Sequence, residues 1–393
     1  MRLGTFLSIA ILYAPYVSSQ NMVITVPIAS LRTSPTVFNN EKEDYGKASQ
    51  DIFGRSYDYF TRMLPEKLRD PWQDTQLVCN ENIKLLETLS DGWIKIELLE
   101  QYDYNKTNNC FGHIQGYIKN YQAQNIQIPY KANSVVNKAW SNIKFQDGSS
   151  LIIPMGTKLW CTHNNNPHAT IKLADKHNGT IDSKDLYYIT DQVNEPKTKI
   201  RSNIVNCAQQ LVGGTYCWGG RSPYSTAILA CTPSCDCSGL INLVYRANGL
   251  EIPRNANAIW LRSSKIKTGS KLLPGDLIFF AYPDRPDHVH HILLFIGNEM
   301  LIESCVAKGI TLRTAQERLG KPVATIVYGD TIKTTDITTC EYLIYFGSYL
   351  NHTRRIQYMR DYALGNYNVK RWVHDEHKNQ KSATNHTNNH LNK

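Results

Sequence analysis

After its first twenty residues, the 393-residue sequence has no apolar run approaching the roughly 20 residues that a bilayer span needs, so stable membrane insertion is not expected. No basic stripe interleaved with aromatics runs through its body, which argues against nucleic-acid binding. The paired two-residue Cys and His spacings of zinc sites are missing as well, and no metal or organic cofactor is expected. Charged residues are scarce, at 20% against 41% hydrophobic. That balance is too apolar for a disordered protein and suffices for two or three packed domains.

What is present is an apolar N-terminal segment, ten cysteines and a net charge of +9. Arg2 precedes an apolar run from Leu3 to about Val17, and the small residues Ser18 and Ser19 follow. Residues 1–19 therefore read as a cleavable export signal, and the expected location is secreted or extracellular, periplasmic in a Gram-negative host. Ten cysteines suit such an oxidising compartment, where Cys79, Cys110, Cys161, Cys207, Cys217, Cys231, Cys235, Cys305 and Cys340 could form disulfides among themselves. With Cys237 set aside as a reactive thiol the remainder is odd in number, so at least one further thiol is free or pairs between chains. Residues 351–393 hold eight Lys or Arg against three Asp or Glu, and this Asn- and His-rich end reads as a basic, disordered tail.

Residues 20–127 alternate in the manner of strands, with Asp91-Gly92 as a hairpin signal, and read as a small β-barrel. A polar and aromatic insertion between Pro35 and Asp74 interrupts it and is expected to be partly helical. Residues 128–194 give a second β-rich run, punctuated by Gly148, Gly156 and Asn178-Gly179, and read as another small barrel. Over 195–350 the pattern turns to helix and then strand, an α+β arrangement. Ile204, Val205, Ala208, Leu211 and Val212 mark one helical face that ends at Gly213-Gly214. A second helix follows Asp236, with Leu240, Ile241, Val244 and Tyr245 on the face that Cys237 begins.

The segment HHILLFIGNEMLIES, broken at Gly297-Asn298, reads as a β-hairpin. A thiol attacks only as thiolate, and the unpaired N–H groups at a helix start favour negative charge, which is where Cys237 falls. Its base must be an imidazole on a neighbouring strand, oriented by a third polar group. His291 opens the hairpin and Glu303 ends it. If the loop is three residues, Gly297 to Glu299, then Glu303 lies opposite Leu293 and on the same face as His291, whereas a two-residue loop would turn the carboxylate away.

Four ordered motifs carry a resemblance: Tyr216-Cys217-Trp218-Gly219-Gly220, Asp236-Cys237-Ser238-Gly239-Leu240, Pro274-Gly275-Asp276-Leu277-Ile278-Phe279-Phe280, and His291 through Asn298. Over about Lys199 to Tyr349 the sequence resembles the NlpC/p60 cell-wall cysteine peptidases. The run TQLVCNENIKLLE…DGWIKIE…GHIQGYI resembles the bacterial SH3-type domains that precede many such enzymes, and the second β-rich run does so more faintly. The resemblance implies a papain-like catalytic domain behind two SH3-like β-barrels, with Cys237 as nucleophile, His291 as base and Glu303, where the family often has His, as the third member. It also implies that Tyr216 borders the nucleophile and helps polarise the scissile carbonyl, and that Asp236 and Ser238 contact the substrate's free amino end. The implied reaction is hydrolysis of the amide between D-glutamate's γ-carboxyl and a diamino acid, with peptidoglycan or free muropeptides bearing an N-terminal L-Ala as substrate.

Simpler readings compete. Cys237 could be tied in a disulfide with Cys231 or Cys235, which would leave a catalytically silent wall-binding protein. His288, His290 and His291 could join CTPSCDC in a metal site, and His288 or His290 could replace His291 as base. Tyr216 and Trp218 suit core aromatics, Glu303 a solvated strand end, and Asp236 a helix cap. In the related permuted acyltransferases the histidine precedes the cysteine in the chain, the reverse of the order here.

Overall fold

The computed structural model describes residues 20–35, 73–165, 167–174, 177–190, 194–225, 232–334 and 340–369. The export signal expected at 1–19, most of the insertion after Pro35 and the end of the chain from residue 370 lie outside the described residues.

The first β-rich stretch supplies β1 (Asn21–Ile24), β2 (Ile28–Arg32), β3 (Gln73–Val78), β4 (Asn82–Thr88), β5 (Trp93–Asn105), β6 (Cys110–Lys119) and β7 (Ala123–Asn125). They form one antiparallel sheet in the order β3-β2-β6-β5-β4-β1-β7. The hairpin expected at Asp91-Gly92 joins β4 to β5, with both turn residues at positive φ. The second stretch supplies β8 (Ser134–Val136), β9 (Trp140–Lys144), β10 (Ser150–Pro154), β11 (Lys158–Asn165), β12 (His168–Lys172), β13 (Asn178–Asp182) and β14 (Leu186–Tyr188), ordered β10-β9-β13-β12-β11-β8-β14.

Neither sheet closes into the barrel expected from sequence, because its end strands do not pair with each other. The polar groups of one end strand are satisfied elsewhere. On β3 the Gln76 carbonyl accepts from Arg221 Nε at 3.0 Å and its side-chain oxygen from the Arg221 N–H at 2.8 Å, while Gln73 Nε2 donates to the Trp218 carbonyl at 2.6 Å. An edge that finds partners in the following domain has no need to close on itself.

The third unit begins with α1 (Lys197–Gln209), the two-stranded β15 (Arg221–Ser225) and β16 (Thr232–Cys235), α2 (Cys237–Arg246) and α3 (Ala256–Arg262). An antiparallel sheet follows from β17 (Ser264–Ile266), β18 (Leu277–Ala281), β19 (Val289–Gly297), β20 (Met300–Cys305), β21 (Gly309–Thr314), β22 (Thr331–Thr334) and β23 (Cys340–Ser348). Alternation along β18 divides its side chains: Leu277 and Phe279 face Ile204, Ala208, Leu240 and Val244 of α1 and α2, whereas Ile278 and Phe280 face Ala315 and Leu319 of α4 (Ala315–Leu319). Burial of both faces explains why the strands read as nearly continuous apolar runs.

Residues from Asn351 do not all form the disordered tail expected from composition. α5 (Thr353–Ala363) folds back with Ile356, Met359, Tyr362 and Ala363 buried, and Tyr362 donates to the Leu99 carbonyl at 2.9 Å. Nor do disulfides join the nine described cysteines, and Cys231 lies outside the described residues.

The three units meet behind α2, every residue of which after Cys237 is buried. Arg246, near its C-terminus, donates to Glu100 of β5 at 2.8 Å and to Glu251 at 2.5 Å, and Lys158 of β11 reaches the same two carboxylates at 3.1 and 2.7 Å. Burial alone would raise the Glu100 pKa, but Lys158 and Arg246 outweigh it and push the carboxyl down from 4.5 to about 2. A carboxylate whose folded pKa lies below its ordinary value contributes stability above that value and loses it as the pH falls toward the folded one. Equilibrium urea unfolding should show Arg246→Leu destabilised by roughly 3–5 kcal/mol, since two buried carboxylates lose a counter-ion. Acid titration of stability should show a loss between pH 4.5 and about 2 that Glu100→Gln flattens.

Candidate active site

Asp236 caps α2 by accepting the Gly239 N–H on Oδ1 at 2.6 Å, which fixes Cys237 as the first helical residue. Gly239 is required there by close packing, since a Cβ at that position would lie 2.0 Å from the Gly220 carbonyl oxygen. The Asp236 carboxylate is further held by Arg254, at 3.0 Å through Nη1 and 2.7 Å through Nη2, and by the Gly219 N–H at 2.9 Å. Arg254 is fully buried and also binds Ser238 Oγ at 3.0 Å and, across the domain boundary, Thr75 Oγ1 at 2.7 Å. Asp236 is thus a cap and an ion-pair partner at once. Ser238, hydrogen-bonded to both Asp236 and Arg254, belongs to the same knot.

Across the cleft, β19 presents His291 and β20 presents Glu303, with Nε2 and Oε2 2.8 Å apart. The hairpin register is the expected one: Leu294 pairs with Ile302 and Phe295 with Leu301, which sets Glu303 across from Leu293. The connection differs from the expected three-residue loop. Asn298 and Glu299 form a two-residue turn with both φ positive, the type I′ signature, and a bulge between Phe295 and Gly297 restores the alternation that a two-residue loop alone would have reversed.

Glu303 is buried, so it is no solvated strand end; its second oxygen accepts from Arg318 Nε at 2.7 Å and Arg313 Nη1 at 3.3 Å. Burial would raise its pKa, yet His291 and Arg318 hold it at about 2. Burial likewise would lower the His291 pKa, but hydrogen bonds and charge from Cys237 and Glu303 push it up to about 9. Nε2 is committed to the Glu303 carboxylate, which leaves Nδ1 as the ring nitrogen open to the Cys237 sulfur. Tyr216, set beside Cys235 by an isolated parallel bridge, has its phenol pKa raised by burial and then by the negative charge of Cys237 and Asp236, so it remains an O–H donor.

Cys237, His291, Tyr216, Asp236 and Ser238 line one cleft of about 660 Å³ together with Asp74, Asp103 and Tyr104 of the first unit, with Glu303 buried behind His291. Trp218, which also suited a core aromatic, is 49% exposed on the cleft wall. Cys235 is buried, and its thiol donates to the Ser222 carbonyl at 3.2 Å rather than joining Cys237. Among the described residues no cluster of His, Cys, Asp and Glu has metal-holding geometry, and His290 stacks on Tyr282 instead of joining His291. Sequence reasoning missed Arg254, Arg313, Arg318, Asp74 and Asp103. None lies in a recognisable local pattern, and only the approach of distant segments gives them a place in the site.

Residues 213–328 match the model of the NlpC/P60 family. Over 111 residues the chain is 30% identical to a gamma-D-glutamyl-L-lysine dipeptidyl-peptidase of Bacillus cereus, an alignment covering 28% of this chain and 30% of that relative. It is 24% identical over 231 residues to dipeptidyl-peptidase 6 of Lysinibacillus sphaericus, covering 56% and 76%. The chain thus spans less than a third of the Bacillus relative's length. The crystal structure of an NlpC/P60 family protein from Bacillus cereus shares the fold at a TM-score of 0.61 and 20% identity, covering 75% of this chain and 94% of that one. The family match takes in α2 and the β19–β20 hairpin, and residues 213–328 of this chain are accordingly an NlpC/P60 domain.

Proposed function

We propose that this protein is an exported cysteine peptidase that hydrolyses the γ-D-glutamyl to diamino acid amide of peptidoglycan stem peptides. The observation that carries the proposal is the meeting in one cleft of Cys237, at a helix start, and His291, whose Nε2 lies 2.8 Å from Glu303 and whose pKa is pushed up to about 9 by Cys237 and Glu303. The sulfur attacks the scissile carbonyl, and the oxyanion is received by the first-turn N–H groups of α2 that the Asp236 cap leaves open, those of Cys237 and Ser238, and by the Tyr216 hydroxyl. His291 passes its proton to the leaving amine as the C–N bond breaks, leaving a thioester. Water, deprotonated by His291, then attacks the thioester and releases the γ-carboxylate. The names and shared motifs of the relatives support the choice of bond.

The first unit supports a narrower substrate. Burial raises the pKa of both Asp74 and Asp103, and the buried Asp103 Oδ1 has no hydrogen-bond partner. An ammonium group brought into this corner supplies the missing counter-charge. Because Asp236 is already engaged by Arg254, these two carboxylates are the ones left to receive the free amine of an N-terminal L-Ala. This favours freed muropeptides over intact wall.

Three outcomes test the reading. Mass spectrometry of peptidoglycan fragments should show cleavage by the wild type and a loss on the order of 10,000-fold with Cys237→Ala; undiminished turnover would refute the assignment. The reactive state pairs thiolate with imidazolium, so kcat/KM should fall as pH rises through about 9, and Glu303→Gln should move that alkaline limb to lower pH by removing a charge that raises the His291 pKa. Free stem peptide should be cut and intact sacculi spared, with Asp103→Asn raising KM for the free peptide; efficient release from sacculi contradicts the narrow-cleft reading.

A further inference from the structure

On the β19 wall of the cleft, the pairing of β18 with β19 is irregular: Phe280 faces His291 and Ala281 faces Val289, so His290 is the extra residue of a bulge. Along a regular strand His290 and His291 would point to opposite faces, but here both line the cleft. The His290 ring lies flat on Tyr282, with centroids 4.1 Å apart and planes 8° from parallel, and Tyr342 lies 5.3 Å from His290 and 5.4 Å from Tyr282. Three rings thus enclose a corner beside His291 in which the buried His290 Nδ1 has no hydrogen-bond partner.

The charges that act most strongly on His290 are positive. Burial first, then the positive fields of His291, His288, Arg285 and Arg318, push the His290 pKa down to about 4, so the ring is neutral. Arg285 lies over Tyr282 at 5.6 Å, and Lys106 and Arg285 both act on His288. The nearby carboxylates are engaged or solvated: Glu303 is held by His291 and two arginines, and Asp284 and Asp287 are exposed on either side of Arg285. Asp74 and Asp236 gather instead around Arg254, and Asp103 bonds Asn255.

The chemistry fixes which part of a substrate meets the rings. The leaving amine takes its proton from His291, so the residue that leaves must lie against His291, while the acyl part extends toward the carboxylates near Arg254. Resting on the peptidase reading above, we propose that Tyr282, His290 and Tyr342 form the subsite for the leaving diamino acid, and that the surrounding cations select one whose side chain ends in a carboxylate. Its methylene stem packs on the rings, its distal carboxylate meets Arg285 and the His290 N–H, and a side chain ending only in an ammonium is repelled.

Two free tripeptides test this, L-Ala-γ-D-Glu followed by either meso-diaminopimelate or L-lysine. The wild type should show kcat/KM about tenfold higher for the diaminodicarboxylate peptide. Arg285→Glu, at an exposed position, should erase that preference. His290→Ala should raise KM for the preferred peptide with kcat little changed, and His290→Phe, which keeps the stack, should recover part of the loss. Equal efficiency on the two peptides, a lysine preference, or a ratio unmoved by Arg285→Glu overturns the subsite while leaving the peptidase reading intact. Cleavage of neither peptide overturns both.

Discussion

A helix buried on all sides can carry an arginine only if that charge is matched, and α2 depends on the match made behind it. Arg246, Lys158, Glu100 and Glu251 come from three units of the chain and close into one buried cluster, which Arg246 extends to Glu81 at 3.5 Å and, through it, to Arg221. Such a cluster adds little net stability compared with apolar packing of the same shape, but it penalises every arrangement in which one unit is missing or misplaced. The position of Cys237, nine residues along the same helix from Arg246, is therefore set by contacts that lie outside the NlpC/P60 domain.

A second knot does similar work at the other end of the helix. Arg254 joins the cap residue Asp236, Ser238 and the Gly220 carbonyl to Thr75 of the first sheet. Since Asp74 adjoins Thr75 and lines the cleft, the contact that steadies the nucleophile's helix also positions the acidic corner opposite it. The start of α2 and the acidic corner thus share one buried guanidinium.

The placement of three side chains was legible in sequence because it follows local rules: a cap before an apolar helix places Cys237, and strand alternation places His291 and Glu303. The turn itself was misread, yet the register came out right because the bulge before Gly297 supplies the residue that the shorter loop lacks. The barrels were not legible as open sheets, since alternation reports which face of a strand is buried and says nothing about what its edge pairs with. Helix α5 was hidden by composition. Its apolar residues Ile356, Met359, Tyr362 and Ala363 have helical spacing, but the polar run after residue 370 dominates any average taken over the whole end. Arg254 and Arg318 carry no local signal because their partners are far away in the chain.

The docking of β3 against residues 217–222 bears on the fate of fragments. An end strand with unsatisfied N–H and C=O groups is a template for strand addition by other chains. In the whole protein Trp218 and Arg221 occupy part of that edge. Proteolysis within the segment before α1 would release an N-terminal piece with its β3 edge bare, and aggregation of that piece, rather than loss of the thiol chemistry, would be the first visible sign of such damage.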